Sequence, residues 1–256
     1  MRSWILLIVV LCSSLQVNTA QRCSVAAPSD CGFPGITEEQ CAEQGCCYSP
    51  QGENSATPWC FRPANTYQLT LVENTKTGMR GTLELWSDSA ASTYGVSIKK
   101  LAMEMIYESV DTFRIRITDK DNERYEVPQS MVVRPAPKDI KPLDANNLNY
   151  EVEYTHKPFT FEVKRKADGV SLFKLSSDML FKDQFLQFST WTDDTAKTYG
   201  VGESTRMEQA LQPGTTKTLW AVDIPAASMY NNLYGSYPYY VQLVRGQAHG
   251  AMLMSS

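Results

Sequence analysis

Phe113-Arg114-Ile115-Arg116-Ile117 alternates apolar and basic side chains, and its reading decides the fold. On an extended strand successive side chains point to opposite faces, so every second residue meets a core while its neighbours meet water. Tyr67-Gln68-Leu69-Thr70-Leu71 and Phe159-Thr160-Phe161-Glu162-Val163 carry the same period. Turn formers lie between such runs: Lys76-Thr77-Gly78, Asp119-Lys120-Asp121-Asn122, Lys166-Ala167-Asp168-Gly169 and Gln212-Pro213-Gly214. Clusters of these residue types interrupt strands rather than extend them. Residues 162–175 read as a hairpin, with Asp168-Gly169 supplying the positive backbone angles of a tight turn. Leu101 to Val110 reads as a further strand in preference to a short helix. Near the end, Tyr239 to Val244 is expected as a strand, Arg245-Gly246-Gln247 as a turn and Ala248 to Met254 as a partner strand. Long helical periodicity is missing, and many short strands with regular turns predict an antiparallel β-sandwich.

The cysteines are distributed quite differently. Of 7, one (Cys12) lies in an N-terminal apolar run, and the other six are Cys23, Cys31, Cys41, Cys46, Cys47 and Cys60. The long remainder has none. An even number of cysteines crowded into a short segment reads as a disulfide framework, because so few residues cannot bury enough apolar area to fold unaided. Six cysteines allow 15 pairings, and spacing alone leaves them open. A metal centre is the poorer reading: no CxxC pair is present, and the only histidines, His156 and His249, are distant in sequence.

Residues 1–20 read as a secretory signal. Arg2 provides a basic start, Trp4 to Cys12 an unbroken apolar stretch, and small residues lead to Ala20. The stretch is about half the ~20 residues that a membrane span needs; the alternative is an uncleaved anchor. No later stretch is apolar for long enough to span a bilayer. The mature chain is expected to be secreted, either extracellular or in the secretory-lysosomal pathway. Net charge is -4, which argues against nucleic acid, since phosphate recognition calls for a basic excess.

Two resemblances follow from motifs. Cys31-Gly32-Phe33-Pro34-Gly35-Ile36-Thr37, Cys41, Cys46-Cys47-Tyr48 and Pro58-Trp59-Cys60-Phe61 resemble the trefoil, or P-type, domain. That resemblance implies the pairs Cys23–Cys47, Cys31–Cys46 and Cys41–Cys60. It also implies a sugar-stacking role for Trp59, whose flat face suits a pyranose. Packing within the trefoil, or against its neighbour, is the plainer alternative and the one favoured. The cysteine-free part resembles the N-terminal sandwich (galactose-mutarotase-like) of glycoside hydrolase family 31, the α-glucosidases. Phe113 to Asp119 resembles an early family strand. Tyr199-Gly200-Val201-Gly202-Glu203 resembles the family's Y-G-x-G-E loop, and Trp220-Ala221-Val222-Asp223 with Asn232-Leu233-Tyr234-Gly235-Ser236-Tyr237-Pro238 its N-L-Y-G-x-x-P region. The resemblance implies that Asp223 binds sugar hydroxyls at the entrance of a catalytic barrel, where a carboxylate accepts charge-assisted hydrogen bonds. Tyr234, Tyr237 and Tyr239 are expected as core or interface aromatics.

Three domains are thus expected: a signal over 1–20, a trefoil over 21–64 and a sandwich over 65–256, cut short at its C-terminal end. The fold class is all-β, without a (β/α)₈ barrel, which needs roughly 250 residues. A retaining glycosidase places two carboxyl groups about 5–5.5 Å apart. The family's W-x-D-M-N-E nucleophile motif does not occur here. Asp193-Asp194, taken as strand neighbours, would point to opposite faces. No catalytic residue, metal or other cofactor is therefore assigned, and whether the chain acts as an enzyme stays open. The leading expectation is the non-catalytic N-terminal part of a secreted α-glucosidase that scaffolds the barrel and shapes its entrance. Its partners would be that barrel and α-gluco-oligosaccharides or other glycans. The rival is a stand-alone secreted carbohydrate-binding or interaction protein. An aldose epimerase comes last, because His156 and His249 belong to no acid–base motif.

Overall fold

In a computed structural model, the described residues are 23, 30–44, 46–50, 58–87, 95–131, 140–183, 185–206, 210–212, 215–225 and 229–254. The expected signal, with Cys12, lies outside them. The chain divides into two compact units, Met1–Asn65 with Ser87–Thr93, and Thr66–Trp86 with Tyr94–Ser256.

The first unit is small and cross-linked. Disulfides join Cys23 to Cys47, Cys31 to Cys46 and Cys41 to Cys60, with Cα–Cα separations of 5.6, 6.5 and 5.8 Å. Its helix α1 (Glu38–Glu43) begins where Thr37 and Gln40 cap one another's backbone N–H groups, with Glu38 and Glu39 at the positive end of the helix dipole. Strands β1 (Cys47–Tyr48) and β2 (Cys60–Phe61) pair antiparallel. Ile36, Cys41 and Cys60 form the buried centre, packed by Cys31, Cys46 and Tyr48. Apolar side chains are too few here to make a larger core, so covalent bonds take that part.

The second unit is built from antiparallel sheets. One has the order β3-β4-β5-β6, from Thr66–Thr75, Gly78–Ser87, Lys100–Ser109 and Thr112–Asp119. A second has the order β10-β9-β8-β7, from Leu186–Thr190, Ser171–Phe181, Phe159–Arg165 and Tyr150–His156. Their inward residues share one core. Leu83, Leu101, Met103 and Met105 come from the first sheet, Phe159, Phe161, Val163 and Leu175 from the second. Phe161 stacks on Phe173 at 5.5 Å between centroids. Tyr150 brings its hydroxyl into this apolar surrounding by donating to the Thr112 carbonyl at 2.9 Å, and burial raises its pKa. The outward residues are charged and cross-linked across strands. Arg80, Glu104 and Arg116 lie side by side on β4, β5 and β6, with Arg80 on Glu104 at 2.9 Å and Arg116 bonded to Glu126. On the other sheet Lys164 meets Glu153 at 2.6 Å and Lys174 meets Glu162 at 3.4 Å. The alternation of Phe113 to Ile117 is the pleat of β6, with arginines among these ladders and apolar partners packed on the core.

Two expectations change in detail. The hairpin from β8 to β9 is closed by Arg165 and Val170, whose backbones bond at 2.9 Å, so the loop between them is longer than a two-residue turn. Only Gly169 has positive φ there; Asp168 instead accepts the Val170 N–H on its side chain at 3.2 Å. Asp193-Asp194 lies in a turn and not on a strand, and the Asp193 carboxylate accepts the Thr195 N–H at 2.7 Å. The Thr195 hydroxyl, then that backbone N–H, hold the Asp193 pKa below the usual carboxylate range.

Candidate functional site

A third sheet gathers the motifs that lie apart in sequence. It has the order β11-β12-β13, from Lys197–Ser204, Asn232–Val244 and Gln247–Met252. The β12–β13 hairpin turns on Arg245-Gly246, with φ of 50° and 75°, and Val244 pairs directly with Gln247. Two consecutive positive angles match the right-handed twist of the flanking strands. Tyr199 to Glu203, expected as a loop, is the middle of β11. Its pairing with β12 shifts register twice, between Gly200 and Gly202 and between Gly202 and Ser204. Those irregularities and two glycines conceal the period of two.

Register assigns the faces. Val241 pairs with Tyr199 and Gly250, Leu243 with Lys197 and Ala248, and Tyr239 with Met252. These residues share the outer face, where Tyr239 is 39% exposed, Leu243 42% and Met252 59%. Thr198, Gln242 and His249 occupy the other face, with Gln242 buried and donating to the Thr198 hydroxyl at 3.0 Å. The outer face holds Lys197 as its sole charge in that register, whereas the two larger sheets present charged ladders. Glycines let its aromatic rings lie flat. A Cβ on Gly250 would meet the Tyr239 hydroxyl at 2.5 Å, and one on Gly202 would meet that of Tyr237 at 2.7 Å. Tyr234, Tyr237 and Tyr239 are thus surface residues and not core.

Residues 215–225 form a strap without regular structure, fastened to this sheet. Lys217 Nζ donates to the Gly200 carbonyl at 3.1 Å, Asn232 Nδ2 to the Thr218 carbonyl at 2.7 Å, and the Val222 N–H to the Leu233 carbonyl at 2.7 Å. Partial burial, then the nearby charge of Arg206, lower the Lys217 pKa. Glu203 holds the β11–β12 junction by accepting the Gly235 N–H at 2.9 Å. Trp220 is 65% exposed, and Asp223 follows the anchored Val222 with its side chain in solvent. The structure therefore joins Tyr199 to Glu203, Trp220 to Asp223 and Asn232 to Pro238 in one place, leaving Phe113 to Asp119 on a separate sheet.

Trp59 belongs to the first unit and is 45% exposed; its carbonyl accepts the Ser49 N–H at 2.7 Å. The sulfurs of Cys31, Cys46 and Cys60 cluster, but all three are consumed in disulfides and none is a thiolate able to ligate metal.

Residues 12–63 match the trefoil (P-type) domain. Over most of its length, the chain is 32% identical over 252 residues to lysosomal α-glucosidase of Mus musculus, covering 90% of this chain and 25% of that protein. The chain is homologous to the N-terminal region of family 31 α-glucosidases. An α-glucosidase of Mucor javanicus is 34% identical over 190 residues, 72% of this chain and 22% of its own length. Intestinal sucrase-isomaltase of Suncus murinus is 32% identical over 230 residues, 88% of this chain and 12% of its own. The chain thus spans about a quarter or less of each of these α-glucosidase relatives. Among the described residues there is no barrel of helices and strands, and no helix long and apolar enough to cross a membrane.

Proposed function

We propose that this chain is the N-terminal module of a secreted or lysosomal α-glucosidase that acts on α-linked gluco-oligosaccharides. The module is not catalytic itself. The outer face of β11-β12-β13 seats the catalytic domain, and the strap carries Asp223 to the substrate entrance. One observation carries this reading: three family-like motifs come together at a single sheet and the strap fastened to it, and that sheet's outer face is aromatic and nearly uncharged in a unit whose other sheets wear charged ladders. A large apolar patch on a soluble module marks a surface meant to be covered. The cross-linked first unit suits an oxidising compartment.

The test is kinetic. A charged hydrogen bond is worth about 1.5–3 kcal/mol, so Asp223→Ala in the longer α-glucosidase should lower kcat/KM on maltose by roughly 10- to 100-fold. An unchanged kcat/KM removes Asp223 from the substrate site.

A second reading, a carbohydrate-binding module acting alone, draws on the exposure of Phe33 (52%) and Trp59 in the trefoil unit. Calorimetry of this chain with maltose and mucin glycans decides it: heat lost in Trp59→Ala supports the reading, and no heat at millimolar sugar ends it.

A further inference from the structure

In the first unit four cysteines are joined in one order by their sulfurs and in another by their backbones. Covalently, Cys31 is bonded to Cys46 and Cys41 to Cys60. The backbone couples them the other way. Asp30 pairs antiparallel with Phe61, which sets Cys31 opposite Cys60, and the Cys31 N–H donates to the Cys60 carbonyl at 3.0 Å. The Cys46 N–H closes the end of α1 by donating to the Cys41 carbonyl at 3.1 Å. A bond of that span at a helix C-terminus brings the side chains of its two residues together. Hydrogen-bonded residues opposed on antiparallel strands have Cα atoms about 5.5 Å apart, inside the roughly 4.4–6.8 Å that a disulfide spans. The pairs Cys31–Cys60 and Cys41–Cys46 are therefore as close in the backbone as the two pairs that are bonded.

The sulfurs are equally close. Those of Cys31, Cys46 and Cys60 all lie within 4.8 Å of one another, and that of Cys41 is bonded to Cys60. Cys31 and Cys46 are half-buried, whereas Cys41 is 0% and Cys60 2% exposed. Thiol–disulfide exchange needs access to the sulfur attacked. A dissolved thiol thus meets the Cys31–Cys46 bond first, and the protein thiolate it frees already lies beside the buried Cys41–Cys60 bond. Cys47 is buried, and its backbone pairs with Phe61 instead of another cysteine.

We propose that the first unit is a thiol-operated switch between two disulfide sets, the second being Cys31–Cys60 with Cys41–Cys46 while Cys23–Cys47 is kept. The co-reactant is a small thiol of the glutathione class. Its thiolate attacks Cys46 Sγ, forms a mixed disulfide there and releases Cys31 as thiolate. Cys31 attacks Cys60 Sγ and releases Cys41. Cys41 attacks Cys46 Sγ in the mixed disulfide and returns the small thiolate. As many S–S bonds form as break, nothing is oxidised or reduced overall, and the thiol acts as a catalyst. The exchange changes what is fastened. Cys41–Cys60 ties α1 to β2; in the second set α1 is stapled to its own C-terminal turn, and Cys23–Cys47 is the cross-link left between that turn and the rest of the unit.

The whole folded chain is held in graded mixtures of reduced and oxidised glutathione, quenched by alkylation and cut after glutamate. Cuts at Glu39, Glu43, Glu53 and Glu73 place Cys41 in residues 40–43, Cys46 with Cys47 in 44–53, and Cys60 in 54–73. With rising thiol, residues 40–43 should move from a link with 54–73 to a link with 44–53, and fragmentation should assign that bond to Cys46. Residues 54–73 should become linked to the peptide that carries Cys31, with free thiol unchanged from the untreated chain. Cys31→Ser leaves a thiol at Cys46 and needs no added thiol: part of the alkylation should then fall on Cys41 or Cys60. Because that variant could fail to fold, the wild-type map decides by itself. Residues 40–43 that stay linked to 54–73 at every thiol concentration, or that leave it only with Cys41 alkylated, overturn the proposal.

Discussion

One leucine-to-alanine pair separates a core position from a surface awaiting a partner. Leu83 is 0% exposed in the core shared by the two larger sheets, and Leu243 is 42% exposed on the outer face of β12. Burying a leucine contributes about 1.5–3 kcal/mol, and truncation adds the cost of the cavity, so buried Leu→Ala changes span about 2–5 kcal/mol. Leu83→Ala should stand in the upper half of that range. Leu243→Ala opens no enclosed cavity and removes side-chain surface already partly in water, so its cost should be about 1 kcal/mol or less. At about 2–4 °C per kcal/mol for a domain of this size, the midpoint falls by roughly 7–20 °C for Leu83→Ala and by at most about 4 °C for Leu243→Ala. Thermal and urea melts followed by circular dichroism measure both. In a longer α-glucosidase the face is covered, and the cost of Leu243→Ala should climb toward that of Leu83→Ala. Equal costs in the isolated chain, or a Leu243→Ala cost that stays the same with the downstream protein attached, would refute the reasoning.

Two further outcomes can be checked on the same chain. His249 has its pKa lowered from 6.5 on folding, by burial and then by the charge of Arg165. Its contribution is intact above pH 6.5 and is lost as pH falls through the folded value, because there the unfolded chain takes the proton more readily. The wild type should lose stability below pH 6.5 more steeply than His249→Phe; parallel curves would count against a buried neutral imidazole. Gly78→Ala places a Cβ 2.0 Å from the Met105 carbonyl on β5 at a φ of 153°. It should cost more than about 1 kcal/mol by equilibrium unfolding, and a neutral result would mean the β4–β5 approach is looser than described.

The strands were legible wherever one face is buried and the other is charged, as in β6 and β8, since alternation is then a direct trace of the pleat. β5 was legible too, although its apolar positions break strict alternation. β11 was not, because two glycines and two register shifts break the period, and Tyr199 to Glu203 passed for a loop. Tyr234, Tyr237 and Tyr239 read as core or interface residues on aromatic content, yet their exposure depends on register with β11 and β13, which no local pattern encodes. The pairing of six cysteines came from resemblance to the trefoil domain and not from spacing. The role given to Asp223 has the same origin; by itself it is an exposed carboxylate on an irregular strap. Arg165 and His249 are 84 residues apart, and only the three-dimensional approach of β13 to the β8–β9 hairpin brings them together.

Hydroxyl-radical footprinting tests most directly whether the β11-β12-β13 face is a seat for a catalytic domain. Oxidation of Trp220, Tyr234, Tyr237, Tyr239 and Met252 is compared between this chain alone and the longer α-glucosidase, with exposed Tyr125 and Met131 as controls. Tyr237, Tyr239 and Met252 on the outer face, and the adjoining Trp220 and Tyr234, should be strongly protected in the longer protein while the two controls react alike in both. Equal oxidation of Tyr237, Tyr239 and Met252 in both proteins would contradict the account.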